Sequence, residues 1–495
     1  MMTFGLPSIT QSDNPVPDKI VGYVSVEGKE SVFAPKTKRL LKTAKAYHAD
    51  KKDRVSVRKD LEKTGFEVLA ESALGMSVSA EPGAYEELTG GTIEPKEKLM
   101  YTTEGVQEYI TCLDIVGDKQ PNALGLGAVK SKSLPVDGVV LEMPRQPHAI
   151  FPSPIPPNSP KYHLQLPSDV ATALNASPAH QFGVRGDGVT IVMPDSGWFR
   201  HPYFTANSYK VKTPIVAIPG TDRSKDPLGH GTGESANIFA VAPGATLQPI
   251  RGTDSAGKWV GIIAAFLIGK ALAPQILTNS WGGDTDFPPL RDPDPTELAI
   301  AAEILDAIGN GILVIWSAGN GQFSIEPQVP GVLAVGGVFI DPNGLVWASD
   351  YASGYKSPWF DNVVVPTVCG LVGMQPRAQY LMLPVQPGCV RDWEEGNFSR
   401  GEEGDGTTPW DGWALFSGTS AAAPQVAGAA ALVLSAKPGL KPAQVIEALS
   451  KTATDVLVGR SSQRFNELAG PGFDNATGFG LVNASAAVEF AMNNF

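Results

Sequence analysis

Cysteine is scarce in this chain: three residues, Cys112, Cys369 and Cys389, among 495. Three are too few for a disulfide framework, and their spacings fit no metal-ligand pattern. Cys369 and Cys389 could pair across one loop, but free thiols are the expectation. Positive charge is also short. Against 51 Asp and Glu stand 39 Lys and Arg, a formal net charge of -12, which leaves no basic face for a nucleic acid or an anionic membrane. No run approaches the roughly 18 apolar residues of a membrane span. The opening "MMTFGLPSITQSDNPVPDK" has neither the basic nor the apolar region of an export signal. The expected compartment is therefore the cytoplasm for the chain as written, and the exterior if a leader was removed. Internal repeats and low-complexity tracts are absent.

What is present describes a soluble globular protein of two or three domains, 42% hydrophobic and 18% charged. The stretch "FPSPIPPNSP" (151–160) disfavours helix and central strand alike, and divides the chain into residues 14–150, a linker 151–164, and residues 165–495. In the first part, "KIVGYVSV", "FEVLAESALGMSVSA" and "VDGVVLEM" read as strands, and "SVRKDLEKTG" and "GAYEELTG" as helices. That order predicts a small α+β, ferredoxin-like β-α-β-β-α-β unit, with an irregular insertion around 96–135. The second part alternates strand and helix patterns, which predicts an α/β fold: a mostly parallel sheet with helices on both faces. Its strands are "VTIVMPD", "QILTNSW", "ILVIWSAGN" and "VLAVGGV". Between them, "DPTELAIAAEILDAIGNG" carries Asp294 at the N-cap, Pro295 at N1 and Glu297 at N3 of a helix.

In open parallel sheets, ligands gather beyond the carboxyl ends of the strands. Asp195 ends one strand in "MPDSG" and Asn320 follows another in "WSAGN". His230 lies in the glycine-flanked "GHGTGES", and Ser420 opens the small-residue helix "GTSAAAPQVAGAAALV". Taken singly, Ser420 reads as an N-cap, His230 as a structural histidine or cap, and Asp195 and Asn320 as turn residues. Together they supply what a nucleophilic serine needs: a base to take its proton, and a carboxylate to orient that base.

In that order, "PDSG", "GHGT", "NSWGG", "SAGN" and "GTSAAAPQVAGAAALV" resemble the motifs of subtilisin-like serine peptidases over roughly 165–490, and the tail "NATGFGLVNASAAV" matches the family's closing segment. The resemblance implies Ser420 as nucleophile, His230 as general base and acid, and Asp195 as the orienting carboxylate. It implies the Asn320 side chain and the Ser420 N–H as oxyanion donors. Ser280, Trp281 and Gly282 would offer main-chain contacts to a peptide strand, with Gly282 and Gly283 leaving room for a side chain in a pocket that reads shape more than charge. Ser317, Ala318 and Gly319 would also contact substrate. Pro424 is expected in the first turn of the serine helix, where missing N–H groups are tolerated.

The same resemblance makes a peptide or protein the substrate and the N-terminal unit a propeptide-like intramolecular inhibitor, cut between Pro144 and Pro160. No catalytic cofactor is implied. The family's usual calcium loop is expected to be absent, because "GHGTGESANIFAVAPGA" runs straight to the next strand. The acids of "DTDFPPLRDPDPTE" lack an EF-hand pattern. Glu234 stands where the family is usually apolar, either as a first-turn acid or as a carboxylate acting on His230. The stretch 350–412 is longer than the family core, and its acidic, aromatic part is expected to be a solvated loop or a border of the cleft. Two other functions fit the same residues: an inactive scaffold whose cleft the first domain fills, and a ligase or macrocyclase that passes the acyl group to an amine.

Overall fold

The computed structural model describes residues 16–33, 43–101, 107–117, 128–147, 162–289, 292–375, 378–396, 404–407 and 410–495. The proline-rich stretch 151–160 and most of the expected cleavage region lie outside these residues.

Near the N-terminus, four antiparallel strands form a sheet in the order Glu67–Glu71, Gly75–Ala80, Ile20–Val26 and Val136–Leu141. Side chains alternate between the two faces of a strand, and here both faces are covered. Val24, Met76, Val78 and Val139 point to a core closed by Val57 and Leu61 of helix Lys51–Lys63 and Tyr85 and Leu88 of helix Pro82–Thr89. Tyr23 and Val140 point the other way, into a core shared with helices Ile262–Ala271 and Pro295–Gly309 of the second part. The segment read as irregular from residue 96 holds a hairpin instead. Thr92–Tyr101 pairs with Gln107–Val116 in unbroken register. Its Glu, Lys and Pro residues hide the strand because β-propensity reports a half-buried surface, and much of this hairpin faces water.

The seam between the two parts is polar at several points. Tyr23 and Ser72 hydroxyls and the Lys270 ammonium all donate to Glu303. His48 Nε2 lies 2.5 Å and Lys270 Nζ 2.9 Å from Asp306. Buried carboxylates are tolerated only when so paired.

The second part is built on a parallel sheet in the order Thr246–Arg251, Thr190–Asp195, Ile276–Asn279, Leu313–Ser317, Leu333–Ile340. Leu333–Ile340 also pairs in parallel with Val368–Leu371 and antiparallel with Val346–Ala348. The chain leaves Thr190–Asp195 for the neighbour on one side, then crosses back to Ile276–Asn279 on the other. Asp195 and the residues after Asn279 therefore sit at the reversal point where such sheets form a crevice. Helices His230–Val241 and Thr419–Ala436 cover one face, with Ile262–Ala271 and Pro295–Gly309 on the opposite one.

Thr419–Ala436 is long and apolar enough to cross a membrane, but 89% of that window is buried inside the protein. It is a core helix. Its small side chains permit contacts that larger ones would block: a Cβ on Gly428 would meet Ile238 O at 2.9 Å, and one on Gly370 would meet Ala422 at 3.0 Å. Cys112, Cys369 and Cys389 are all free and buried.

Candidate active site

The aspartate strand ends on buried Asp195, whose Oδ1 accepts from the Ser196 N–H at 2.7 Å and from His230 Nδ1 at 2.7 Å. With Nδ1 so bound, Nε2 is the free nitrogen of the ring, and it has no hydrogen-bond partner. His230 is the first residue of its helix, after Gly229 in the left-handed region at φ 85°. Asp226 fixes that helix start. Its Oδ1 accepts from Ser196 Oγ at 2.8 Å and Gly229 N at 3.0 Å, and its Oδ2 from Thr232 N at 2.8 Å and Thr232 Oγ1 at 2.7 Å. One carboxylate thus ties the aspartate turn to the histidine turn, and a negative group at a helix N-terminus is electrostatically favoured. The one sequence signal for Asp226 is its position four residues before His230 in "DPLGHG".

Ser420 is the second residue of its helix, in the turn whose N–H groups lack intrahelical acceptors. Its hydroxyl donates to the Ser280 carbonyl at 3.0 Å, and the Ser280 hydroxyl donates back to the Ser420 carbonyl at 2.8 Å. Pro424 is the sixth residue of the helix, a turn later than expected. It has no N–H to give the carbonyl four residues earlier, and Ser280 fills that vacancy at Ser420.

Asn320 follows the strand Leu313–Ser317. Its Oδ1 accepts from Thr419 N at 2.9 Å and Thr419 Oγ1 at 3.1 Å, which turns Nδ2 the other way. That NH2 group is buried and has no acceptor. An unmet buried donor is costly, and a donor held ready for a developing oxyanion has this character.

Burial disfavours the imidazolium of His230, but Asp195 and then Glu234 outweigh it and hold the pKa above the usual histidine range, with Arg391 opposing. Glu234 Oε1 is 3.7 Å from His230 Nε2, while Oε2 accepts from Asn237 Nδ2 at 3.1 Å. Burial and the Asp195 charge raise the Glu234 carboxyl to about 8, against the pull of His230 and Arg391. Arg391 arrives from the long 350–412 region. Val390 N and Arg391 N bond to the carbonyls of Pro227 and Leu228 at 2.9 and 3.1 Å, just before His230. Part of that region is therefore packed beside the site; residues 397–403 fall outside the described chain.

The edge strand Trp281–Gly282 pairs antiparallel with Gln146–Pro147, in the register Trp281↔Pro147 and Gly282↔Gln146. Trp281 Nε1 donates to Pro194 O at 3.1 Å, so this side chain is core and only its backbone is at the edge. Gly283 departs from expectation. Beside it lies the Arg145 guanidinium, bonded to Glu326, so the space it leaves is charged. Ser317 ends its strand buried, Ala318 packs with Phe323 and Tyr355, and Gly319 N donates to Thr419 Oγ1 at 3.1 Å.

Among the described residues, no group of three His, Cys, Asp or Glu side chains is arranged to hold a metal. In the acidic stretch, Asp294 caps its helix in a capping box with Glu297, and Asp284 accepts from Phe323 N at 2.8 Å and Arg464 Nη1 at 2.7 Å.

A family model, described as the subtilase family, matches residues 186–480. The chain belongs to the subtilase family. Subtilisin Savinase from Lederbergia lenta is 25% identical over 330 residues, covering 63% of this chain and 96% of that one. A probable subtilase-type serine protease from Deinococcus radiodurans is 29% identical over 344 residues, 62% of this chain and 41% of that one. Fervidolysin from Fervidobacterium pennivorans, described as a keratinolytic enzyme related to subtilisin, has a similar fold with a TM-score of 0.54 at 20% identity. The alignment covers 95% of this chain, which spans 61% of the fervidolysin chain. As a subtilase, this chain is a serine endopeptidase whose chemistry needs no cofactor.

Proposed function

We propose that this subtilase cleaves peptide bonds through an acyl-enzyme on Ser420, and that it releases its own N-terminal unit in the same way. The observation that carries the reading is the 2.7 Å bond from His230 Nδ1 to Asp195, which leaves Nε2 without a hydrogen-bond partner, on a helix that packs against the serine helix.

Ser420 Oγ turns from the Ser280 carbonyl to His230 Nε2, gives up its proton there, and bonds to the scissile carbonyl carbon. Negative charge moves to the carbonyl oxygen, where Asn320 Nδ2 and the Ser420 N–H donate to it. The imidazolium, steadied by Asp195, then passes the proton to the leaving nitrogen as the C–N bond breaks. Water repeats the sequence on the ester, which restores Ser420 and frees the acid. A peptide adding as a strand to Trp281–Gly282 would bring its carbonyl to this place.

Self-processing draws its support from Gln146–Pro147, which lie on that edge strand as a substrate would. The N-terminal unit also covers helices Ile262–Ala271 and Pro295–Gly309, as an intramolecular inhibitor and folding aid should; a sheet assembled from distant segments folds slowly without a template. Purified wild type should separate into two fragments under denaturing conditions and Ser420→Ala should stay whole. Wild type that hydrolyses a denatured protein while remaining one intact chain would contradict self-processing and leave the peptidase reading standing.

A further inference from the structure

Arg145 is 5% exposed, and its Nη1 donates to Glu326 Oε1 at 2.9 Å across 181 residues of sequence. It directly precedes the strand Gln146–Pro147, so the antiparallel register sets Arg145 opposite Gly283. The space agrees with the register. A Cβ on Gly283 would lie 2.8 Å from Arg145 Nη1 and 3.7 Å from Glu297 Oε1. A side chain at 283 would compete with the guanidinium for this space. Glu326 is fully buried, and its second oxygen, Oε2, has no hydrogen-bond partner. Arg145 engages only Oε1, and its own Nε and Nη2 are also without hydrogen-bond partners; a substrate's planar guanidinium is the side chain suited to meet both oxygens at once. Glu297 and Asp294, both nearly buried, stand around the same point, with Lys98 Nζ 3.5 Å from Asp294 Oδ2 offsetting part of their charge.

We infer that Gly283, Glu297 and Glu326 form an acidic subsite that selects a basic side chain, arginine above all, at the substrate position lying opposite Gly283. The inference rests on the peptidase reading, since it treats the chain's own Arg145 as the first occupant of a pocket later offered to other peptides. A mere bridge between two domains would need the same contact, but it would leave no trace in the choice of substrates.

The probe is an internally quenched peptide with the sequence of residues 140–154, VLEMPRQPHAIFPSP, made with Arg, Lys, Ala or Glu at the position of Arg145. With wild-type enzyme, kcat/KM for the Arg peptide should exceed that for Ala about 10- to 100-fold, the range expected for a desolvated charged hydrogen bond. Lys should be intermediate, because its point charge cannot fork to two oxygens, and Glu should be poorest. In Glu326→Gln the Arg-to-Ala ratio should fall towards one. Should that buried substitution fail to fold, the wild-type series still decides. Rates for Arg and Ala within twofold of each other overturn the subsite, as does product mass showing cleavage directly after the Arg. Fluorophosphonate labelling of the same preparation separates the two failures: labelled enzyme without Arg preference condemns only the subsite, and unlabelled enzyme overturns the peptidase reading and the subsite with it.

Discussion

Ser280 and Ser420 hold each other by two hydrogen bonds: each hydroxyl donates to the other residue's backbone carbonyl, at 2.8 and 3.0 Å. One bond repairs the gap that Pro424 makes in the serine helix, and the other holds the nucleophile's hydroxyl proton on the Ser280 carbonyl. The Ser280 hydroxyl should therefore matter to stability. In a Ser420→Ala background, which prevents self-cleavage, Ser280→Ala strands a buried carbonyl and should cost about 1–3 kcal/mol in denaturant unfolding. Ser280→Thr should recover much of it. An unchanged unfolding midpoint for Ser280→Ala would show that the carbonyl is satisfied some other way.

Ser420 and His230 should behave as one unit. Each single alanine variant should lose nearly all activity, and the double variant little more. Asn320→Ala should keep its fold and lose about 100- to 1,000-fold in kcat, the scale of one oxyanion donor. Multiplicative losses for Ser420 and His230 in steady-state kinetics would remove the pair from the mechanism.

Glu234 should set the acid limb of the pH–rate profile. Catalysis needs neutral His230, so activity rises as pH passes through its pKa; as the Glu234 carboxyl 3.7 Å away ionises it favours the imidazolium and so delays that rise. Glu234→Gln should move the acid limb of kcat/KM to lower pH. Stability gives an independent readout. A carboxyl raised from 4.5 to about 8 by folding contributes stability that is complete below 4.5 and lost as pH rises through about 8. Glu234→Gln should therefore gain on wild type between pH 5 and pH 9. An acid limb that moves to higher pH, or no relative gain in stability, would refute this account of Glu234.

Much of this site was legible because its residues stand at the ends of recognisable elements: Asp195 after an apolar strand, Ser420 before an alanine-rich helix, Asp294 and Glu297 in a capping box that the structure contains. Asp226 was not legible as the tie between the two turns, because its bond from Ser196 Oγ forms only when the aspartate turn meets the histidine turn; its other three donors are local. Arg145 and Glu326 carry no local pattern at all; their relation depends on the register of a two-residue strand. The hairpin 92–116 was missed for a different reason: a strand pair wetted on much of its surface has no alternation to display.

Calcium should have little influence on the fold. The histidine helix His230–Val241 reaches the strand Thr246–Arg251 through four residues, with no loop to wrap an ion. Chelation at constant ionic strength should leave the melting temperature of Ser420→Ala unchanged, since a ligand stabilises only the state it binds. A drop of several degrees would return attention to the acidic loops.

The central claim, that Ser420 is an activated nucleophile, is tested most directly by the intact mass of the protein after exposure to a fluorophosphonate. Wild type should gain one adduct, mapped by peptide fragmentation to Ser420, and both Ser420→Ala and His230→Ala should gain none. A wild-type mass that does not change, or an adduct that persists in Ser420→Ala, would contradict it.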